Sequence, residues 1–251
     1  MNLPSSVKPG AGTVTPRPAA TVVVATPVSS RFEILLLRRP HDARFGAGVW
    51  AFPGGAIDDD DTRAMWAHRL PGVGEGAACV AALRELFEET GLLAARPSGL
   101  ETDVAAARRR LLAGGPRFSR LAEQLGLDFS SARVVYFARW ITPRGTALRF
   151  DTRFFLLALE RQSRDVSLTP EHEASLWATP SAALRRFSDG ELPMMFPTVR
   201  TIERLAGFPS LDAAIEALGD VRVEPALVRL RVGERGVQPV APGDPGYDEL
   251  T

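Results

Sequence analysis

Cysteine occurs once in the 251 residues, as Cys79. That excludes an internal disulfide and any metal site built on several thiolates. Lying within a helical stretch, Cys79 reads as a small buried core residue. Net charge is missing too, since 30 Lys and Arg balance 30 Asp and Glu. Such a chain lacks the basic footprint for non-specific binding to nucleic acid or to an anionic membrane, so neither partner is expected. No apolar run approaches the roughly 18 residues that cross a bilayer. The first residues carry no apolar stretch of the secretory type, and the last three (Glu249, Leu250, Thr251) are not a peroxisomal address. A cytoplasmic enzyme is the expectation. Internal repeats and a clear domain boundary are also lacking. What remains is ordinary for a globular chain: 45% hydrophobic and 24% charged residues, with length enough for one domain with insertions or two small ones.

One stretch organises the rest. From Ala78 to Leu92 the sequence reads as a helix that turns acidic at its end. Ala77, Ala78, Ala81, Ala82 and Leu83 are small or strong helix formers, and Gly91 is placed to stop it. Glu85, Glu88 and Glu89 stand at i, i+3 and i+4, so three carboxylates leave from one face. A solvated acidic face is the plain reading of three glutamates. Their mutual repulsion, however, is a poor choice for a helix that only has to fold, and hard divalent cations bound through oxygen would remove it. Arg84, four residues before Glu88, can hold that carboxylate in place.

Residues 84–92, R-E-L-F-E-E-T-G-L, match the second half of the Nudix box, R-E-U-x-E-E-x-G-U with U aliphatic. Upstream, W-A-F-P-G-G (50–55) resembles the strand and loop that precede this helix in Nudix hydrolases. The family box, G-x5-E-x7-R-E, places Arg fourteen positions after Gly, whereas Arg84 follows Gly55 by twenty-nine, so about fifteen residues interrupt it. Counting forward from Gly55, the first box acid falls on Asp61. Counting back from Arg84, it falls on Gly76, beside Glu75. Asp58, Asp61 and Glu75 remain open for that position.

Along the chain, residues 1–18 are rich in Pro, Ser, Thr and Gly and read as a disordered arm. Residues 21–27 and 32–39 read as a hairpin. The loop over 38–49 has a basic character, either a solvated turn or a place where Arg38, Arg39 or Arg44 meets phosphate. Asp58 to Asp61 read as an N-cap and acidic first turn leading into a short helix over 62–70. Helical patterns follow at 103–113 and 118–126, and the arginine run 108–110 reads as a solvated face. Extended segments at 133–143 and 149–159 form a second hairpin, in which Asp151 and Arg153 interrupt an apolar strand. Glu171, His172 and Glu173 precede a strand-like 175–177, and His172 alone reads as a surface residue. Helices at 180–191 and 198–206, a short helix after Phe208 and a strand-like 226–232 complete the chain.

Together these features resemble the peroxisomal-type coenzyme A diphosphatase branch of the Nudix superfamily, from about Thr21 to about Ala206. The resemblance implies an α/β/α sandwich on a mixed β-sheet, with extra helical insertions. It places a Nudix domain at 19–207, with an insert at about 58–76 and a helical insert at about 101–127. Residues 208–251 form an extension packed on it. It implies a small-molecule nucleoside diphosphate substrate, Mg²⁺ or Mn²⁺ as cofactor, and a homodimer. Carried over residue by residue, Glu85, Glu88 and Glu89 with the Gly54 carbonyl become the metal ligands and Arg84 the residue that orients them. Glu88, Arg84 and Glu173 form the catalytic set, Glu171 being the alternative distal acid. Arg38, Arg39 and Arg44 are the substrate-binding candidates. The leading activity is cleavage of coenzyme A or its thioesters. ADP-ribose, NADH or a dinucleoside polyphosphate are alternatives in the same class, and a non-catalytic nucleotide sensor is the alternative outside it.

Overall fold

The computed structural model describes residues 14–43, 45–70, 72–99, 103–160, 165–233 and 236–250. Residues 1–13 of the expected arm and Arg44 lie outside these. A strand claims the arm's last two residues, since β1 runs from Arg17 to Val28.

Strand alternation builds two cores. In β1, Val22 and Val24 point to one side while Val23 and Ala25 point to the other, all fully buried. In β2 (Arg31–Arg38), Leu35 and Leu37 join the first core and Ile34 and Leu36 the second. In β6 (Phe150–Ala158), Phe155 and Leu157 oppose Phe154 and Leu156 in the same way. Strands apolar at every position need cover on both faces. A sheet between two helical layers follows.

The sheet is mixed. Its main order is β3 (Trp50–Ala51), β2, β1, β6, β5 (Arg133–Ile141) and β8 (Pro225–Leu227). Two further strands pair off this path, β4 (Gly54–Ala56) with β1 and β7 (Ala174–Ala178) with β2. The β1–β6 and β5–β8 pairs are parallel and the other pairs of this sheet antiparallel. On one face lie α1 (Met65–Arg69), α2 (Gly76–Thr90), α3 (Val104–Leu112) and α4 (Phe118–Gln124), contributing Trp66, Phe87, Ala107 and Phe118 to the first core. The other face is covered by α5 (Pro180–Ser188), α6 (Phe196–Ala206) and α7 (Leu211–Gly219) through Ala183, Ile202 and Ala214. Each fully buried Val, Leu, Ile or Phe among them contributes ~1.5–3 kcal/mol by leaving water.

The interruption of the box folds as more than one helix. Asp59–Thr62 forms a 3₁₀ turn capped by Asp58, whose carboxylate accepts from Asp60 N, and α1 follows after a break at Arg63. Trp66 stacks on Phe118 at 5.5 Å between ring centres, so α1 packs against α4. The strand expected at 226–232 is split at Val228. β8 joins the main sheet, while β9 (Arg229–Gly233) pairs with β10 (Gly236–Val240) in a separate hairpin. Arg200 bonds Asp244 at 2.8 Å and the Tyr247 hydroxyl donates to Leu227 O at 2.7 Å, tying the last segment down.

Candidate active site

The site lies where the end of α2 meets β4. Val22 N bonds Pro53 O at 3.0 Å and Ile57 N bonds Pro18 O at 3.4 Å. With Thr21 opposite Gly54 and Ala19 opposite Ala56, the antiparallel alternation turns the N–H and C=O groups of Gly54 and Ala56 away from β1. Both find partners on α2. Gly54 N donates to Glu89 Oε2 at 3.1 Å, and Ala56 O accepts from Arg84 Nη2 at 2.9 Å. The Gly54 carbonyl shares that open edge.

The glycine pair is a packing requirement. A Cβ on Gly54 would stand 2.4 Å from Ala20 O, and one on Gly55 would stand 2.3 Å from Glu85 Oε1. Gly54 lets β4 press on β1, and Gly55 lets a carboxylate lie against the strand.

Arg84 is 8% exposed and saturated with partners. Its Nε and Nη2 hold both oxygens of Asp61 at 3.0 Å each, while Nη1 reaches Glu85 Oε1 at 2.9 Å and Glu88 Oε2 at 3.3 Å. Burial pulls this guanidinium's pKa down, but the Asp61 hydrogen bond and the fields of Glu85, Asp61 and Glu88 outweigh it and hold it above its usual range. Of the three acids open for the first box position, Asp61 alone reaches Arg84 among the described contacts. Asp58 caps the 3₁₀ turn and donates its N–H to Asp61 Oδ2 at 2.9 Å. Glu75 lies at the far end of α2 with Arg153, at 3.3 Å.

Negative charge exceeds positive here. Burial first, then Glu85, raises the Glu88 pKa to about 7 against the opposing pull of Arg84. Burial also raises Glu85, with Glu171 and Asp61 adding to it and Arg84 opposing. Glu89 is pushed well above the usual carboxylate range by burial, then by Glu85 and Glu171, with the Gly54 N–H and Arg39 opposing. Among the described residues, no three acid, histidine or cysteine side chains form a ready-made metal cage. The donor set nevertheless fits a hard divalent ion, because Mg²⁺ takes only one or two carboxylates and completes its shell with water and phosphate oxygens.

The two distal acids part company. Glu171 is felt electrostatically at Glu85 and Glu89. Glu173 instead turns to the 38–49 loop, accepting from His41 N at 3.2 Å and lying 3.9 Å from Arg38 Nε. Arg39 bonds Phe45 O at 3.1 Å, and its charge reaches both Glu89 and His172.

Two expectations need correction. His172 is buried, not a surface residue. Its Nε2 lies 3.7 Å from Glu89 Oε1, and burial, then Arg39, lowers its pKa to about 4, leaving it neutral. The arginine run of α3 is likewise not uniformly solvated. Arg109 and Arg110 are exposed, but Arg108 is buried, with its guanidinium on the C-terminal carbonyls of α2. The signal was in the spacing: Val104, Ala107, Arg108 and Leu111 form one helical face that packs inward.

The chain can now be set beside known proteins. Residues 69–205 match the family profile described as NUDT19 Nudix domain, and residues 15–102 match that described as NUDIX domain. The acyl-coenzyme A diphosphatase NUDT19 of Gallus gallus is 27% identical over 303 residues, covering 93% of this chain and 80% of that protein. Its Homo sapiens counterpart is 28% identical over 274 residues, covering 83% and 72%. The crystal structure of a NUDIX hydrolase from Alicyclobacillus acidocaldarius superposes with a TM-score of 0.70 at 32% identity, over 84% of this chain and 100% of that one. With Asp61, Glu85 and Glu88 gathered on Arg84 in α2, the chain belongs to the Nudix hydrolase family, in the NUDT19 branch, and is a Nudix-type diphosphatase.

Proposed function

We propose that this enzyme cleaves the diphosphate bond of coenzyme A or an acyl-coenzyme A, releasing 4′-phosphopantetheine (or its acyl form) and adenosine 3′,5′-bisphosphate, with Mg²⁺ or Mn²⁺ bound. The observation that carries the reading is the excess of negative charge on the C-terminal half of α2, where Asp61, Glu85 and Glu88 share the Arg84 guanidinium and Glu89 lies buried against Gly54 N. The substrate class is supported by the relatives named acyl-coenzyme A diphosphatase.

Glu85, Glu88, Glu89 and the Gly54 carbonyl would hold the ions. Ions held there would supply charge neutralisation of the diphosphate and Lewis-acid activation of the attacking water. Arg84 orients Glu85 and Glu88. A carboxylate takes the proton of the attacking water as the new phosphorus–oxygen bond forms and the anhydride bond breaks. For the proton acceptor, Glu171 is favoured by its position beside Glu85 and Glu89, and Glu173 is the alternative. Arg39, close enough to bias Glu89 and His172, supports a phosphate contact from the 38–49 loop.

The test is phosphate-bond cleavage with Mg²⁺ and with Mn²⁺ over coenzyme A, acetyl-coenzyme A, ADP-ribose, NADH and diadenosine polyphosphates, with Glu88→Gln beside the wild type. Coenzyme A turnover that dies in the variant is the expected result. Turnover of another dinucleotide would keep the site and replace the substrate. Tight binding of one member without turnover would remove the enzymatic reading.

A further inference from the structure

The last turn of α2 carries Glu88 and Glu89, and an α-helix leaves its final carbonyls without partners inside the helix. Here the carbonyls of this turn gain partners beyond the backbone pattern, from a side chain of α2 itself, from Arg108 and from Ser167. Leu86 O accepts from the Thr90 hydroxyl at 2.5 Å. Phe87 O accepts from Gly91 N at 2.9 Å and from Arg108 Nε at 2.8 Å. Glu88 O accepts from Arg108 Nη2 at 2.7 Å, and Thr90 O accepts from Ser167 N at 2.8 Å. The same Arg108 Nη2 also donates to Ser167 O at 2.6 Å.

Ser167 is therefore clamped on both sides, by Thr90 through its N–H and by Arg108 through its C=O. Four and five residues later the same segment carries Glu171, whose charge is felt at Glu85 and Glu89, and His172, 3.7 Å from Glu89 Oε1. One guanidinium thus joins three parts of the chain: the helical insertion α3, the end of the box helix and the loop bearing the distal acid. A planar cation with fixed donors suits this task, since it spans two carbonyl groups at once and opposes the negative end of the helix dipole.

We propose that Arg108 is a positioning residue, setting the separation between the carboxylates of the α2 terminus and Glu171, so that the helical insertion shapes the metal-binding geometry. The inference rests on these carboxylates being the metal-binding groups. Arg108 touches neither substrate nor ion and acts through Glu88 O and Ser167 O.

Mn²⁺ binding followed by electron paramagnetic resonance tests it, on wild type, Arg108→Ala, Arg108→Lys and Arg109→Ala, with a thermal melt of each. Arg108→Ala is expected to weaken Mn²⁺ affinity by about tenfold or more, the usual range for a residue one step behind a ligand. Dilute guanidinium should restore part of that loss, whereas equimolar sodium chloride should not. Arg108→Lys, retaining charge but not the two-pronged contact, should fall between, and Arg109→Ala should match wild type. Should Arg108→Ala not fold, the lysine variant carries the comparison. Equal Mn²⁺ affinity in wild type and both Arg108 variants, with only the melt lowered, would reduce Arg108 to a structural cap and overturn the inference alone. Absence of Mn²⁺ binding in wild type would instead overturn the metal reading of the site, and this inference with it.

Discussion

The two ends of α2 are built to different standards. At its start, Glu75 adopts φ 58°, makes no side-chain cap and forms one ion pair, with Arg153. A left-handed conformation is unusual for a residue with a side chain, and uncapped N–H groups at a helix start are left to water. At its end, a glycine takes the left-handed position, four carbonyls have partners beyond the backbone helix pattern, and Glu85 and Glu88 meet one buried arginine. The difference shows where the helix must be held. The interruption of the box enters at the loosely held end, and Asp61 returns past it to the middle of the helix, where Arg84 takes it with two hydrogen bonds.

That contrast can be broken by charge first. Glu88→Gln should lower kcat by about 10³-fold, the scale for losing a preorganised electrostatic group, while Glu75→Gln at the other end should leave kcat within about twofold of wild type. Steady-state kinetics on the turned-over substrate reads both. A large loss in Glu75→Gln would mean that the helix start also serves the reaction.

Asp61→Asn comes next. The variant takes the two-pronged partner from the buried Arg84, which keeps only its contacts to Glu85 and Glu88, so it should lose ~3 kcal/mol in denaturant unfolding. Removing the exposed-side cap with Asp58→Ala should cost only ~1 kcal/mol.

The dependence on pH sharpens the comparison further. Glu88 titrates at about 7 in the folded protein against 4.5 ordinarily, so between these values the folded state holds a proton that the unfolded state has released. The metal-free protein should lose this contribution as pH rises from about 4.5 through about 7. Metal-free Glu88→Gln should then be the more stable protein by ~3 kcal/mol at pH 8, with the gap closing towards pH 4.5. Melts of both proteins in chelator across that range decide it. A gap that is constant with pH would show that Glu88 is not perturbed.

The smallest effect belongs to Glu75→Gly. Relief of the left-handed conformation gains up to ~1 kcal/mol, and loss of an ion pair with a partly exposed acid costs ~0–1 kcal/mol. The unfolding midpoint should barely move, and a drop of several degrees would show that Glu75 anchors α2 after all.

Much of the fold was legible from periodicity. The alternation in residues 21–27 and 32–37, the alanine-rich start of α2 and Gly91 after its end reveal themselves locally, because strand and helix repeat every two and 3.6 residues. The same periodicity put three carboxylates on one face, whereas the run 108–110 read as solvated although the 104/107/108/111 spacing favours an inward Arg108. The split of 226–232 was not legible, since an apolar strand does not announce which neighbour it will pair with at each end.

For the site, the sequence by itself determined the chemistry available: three glutamates on one helical face, an arginine able to reach them, and a glycine pair in the preceding strand. Tertiary structure alone decided who meets whom. It brought Asp61 rather than Glu75 to Arg84 across the interruption, placed the charge of Glu171 where Glu89 feels it, set Glu173 beside Arg38, buried His172, and seated Arg108 on the end of α2. The physical reason is range. Backbone geometry fixes which residues share a face within one element, whereas partners far apart in sequence are set by how whole elements dock, through burial summed over many side chains.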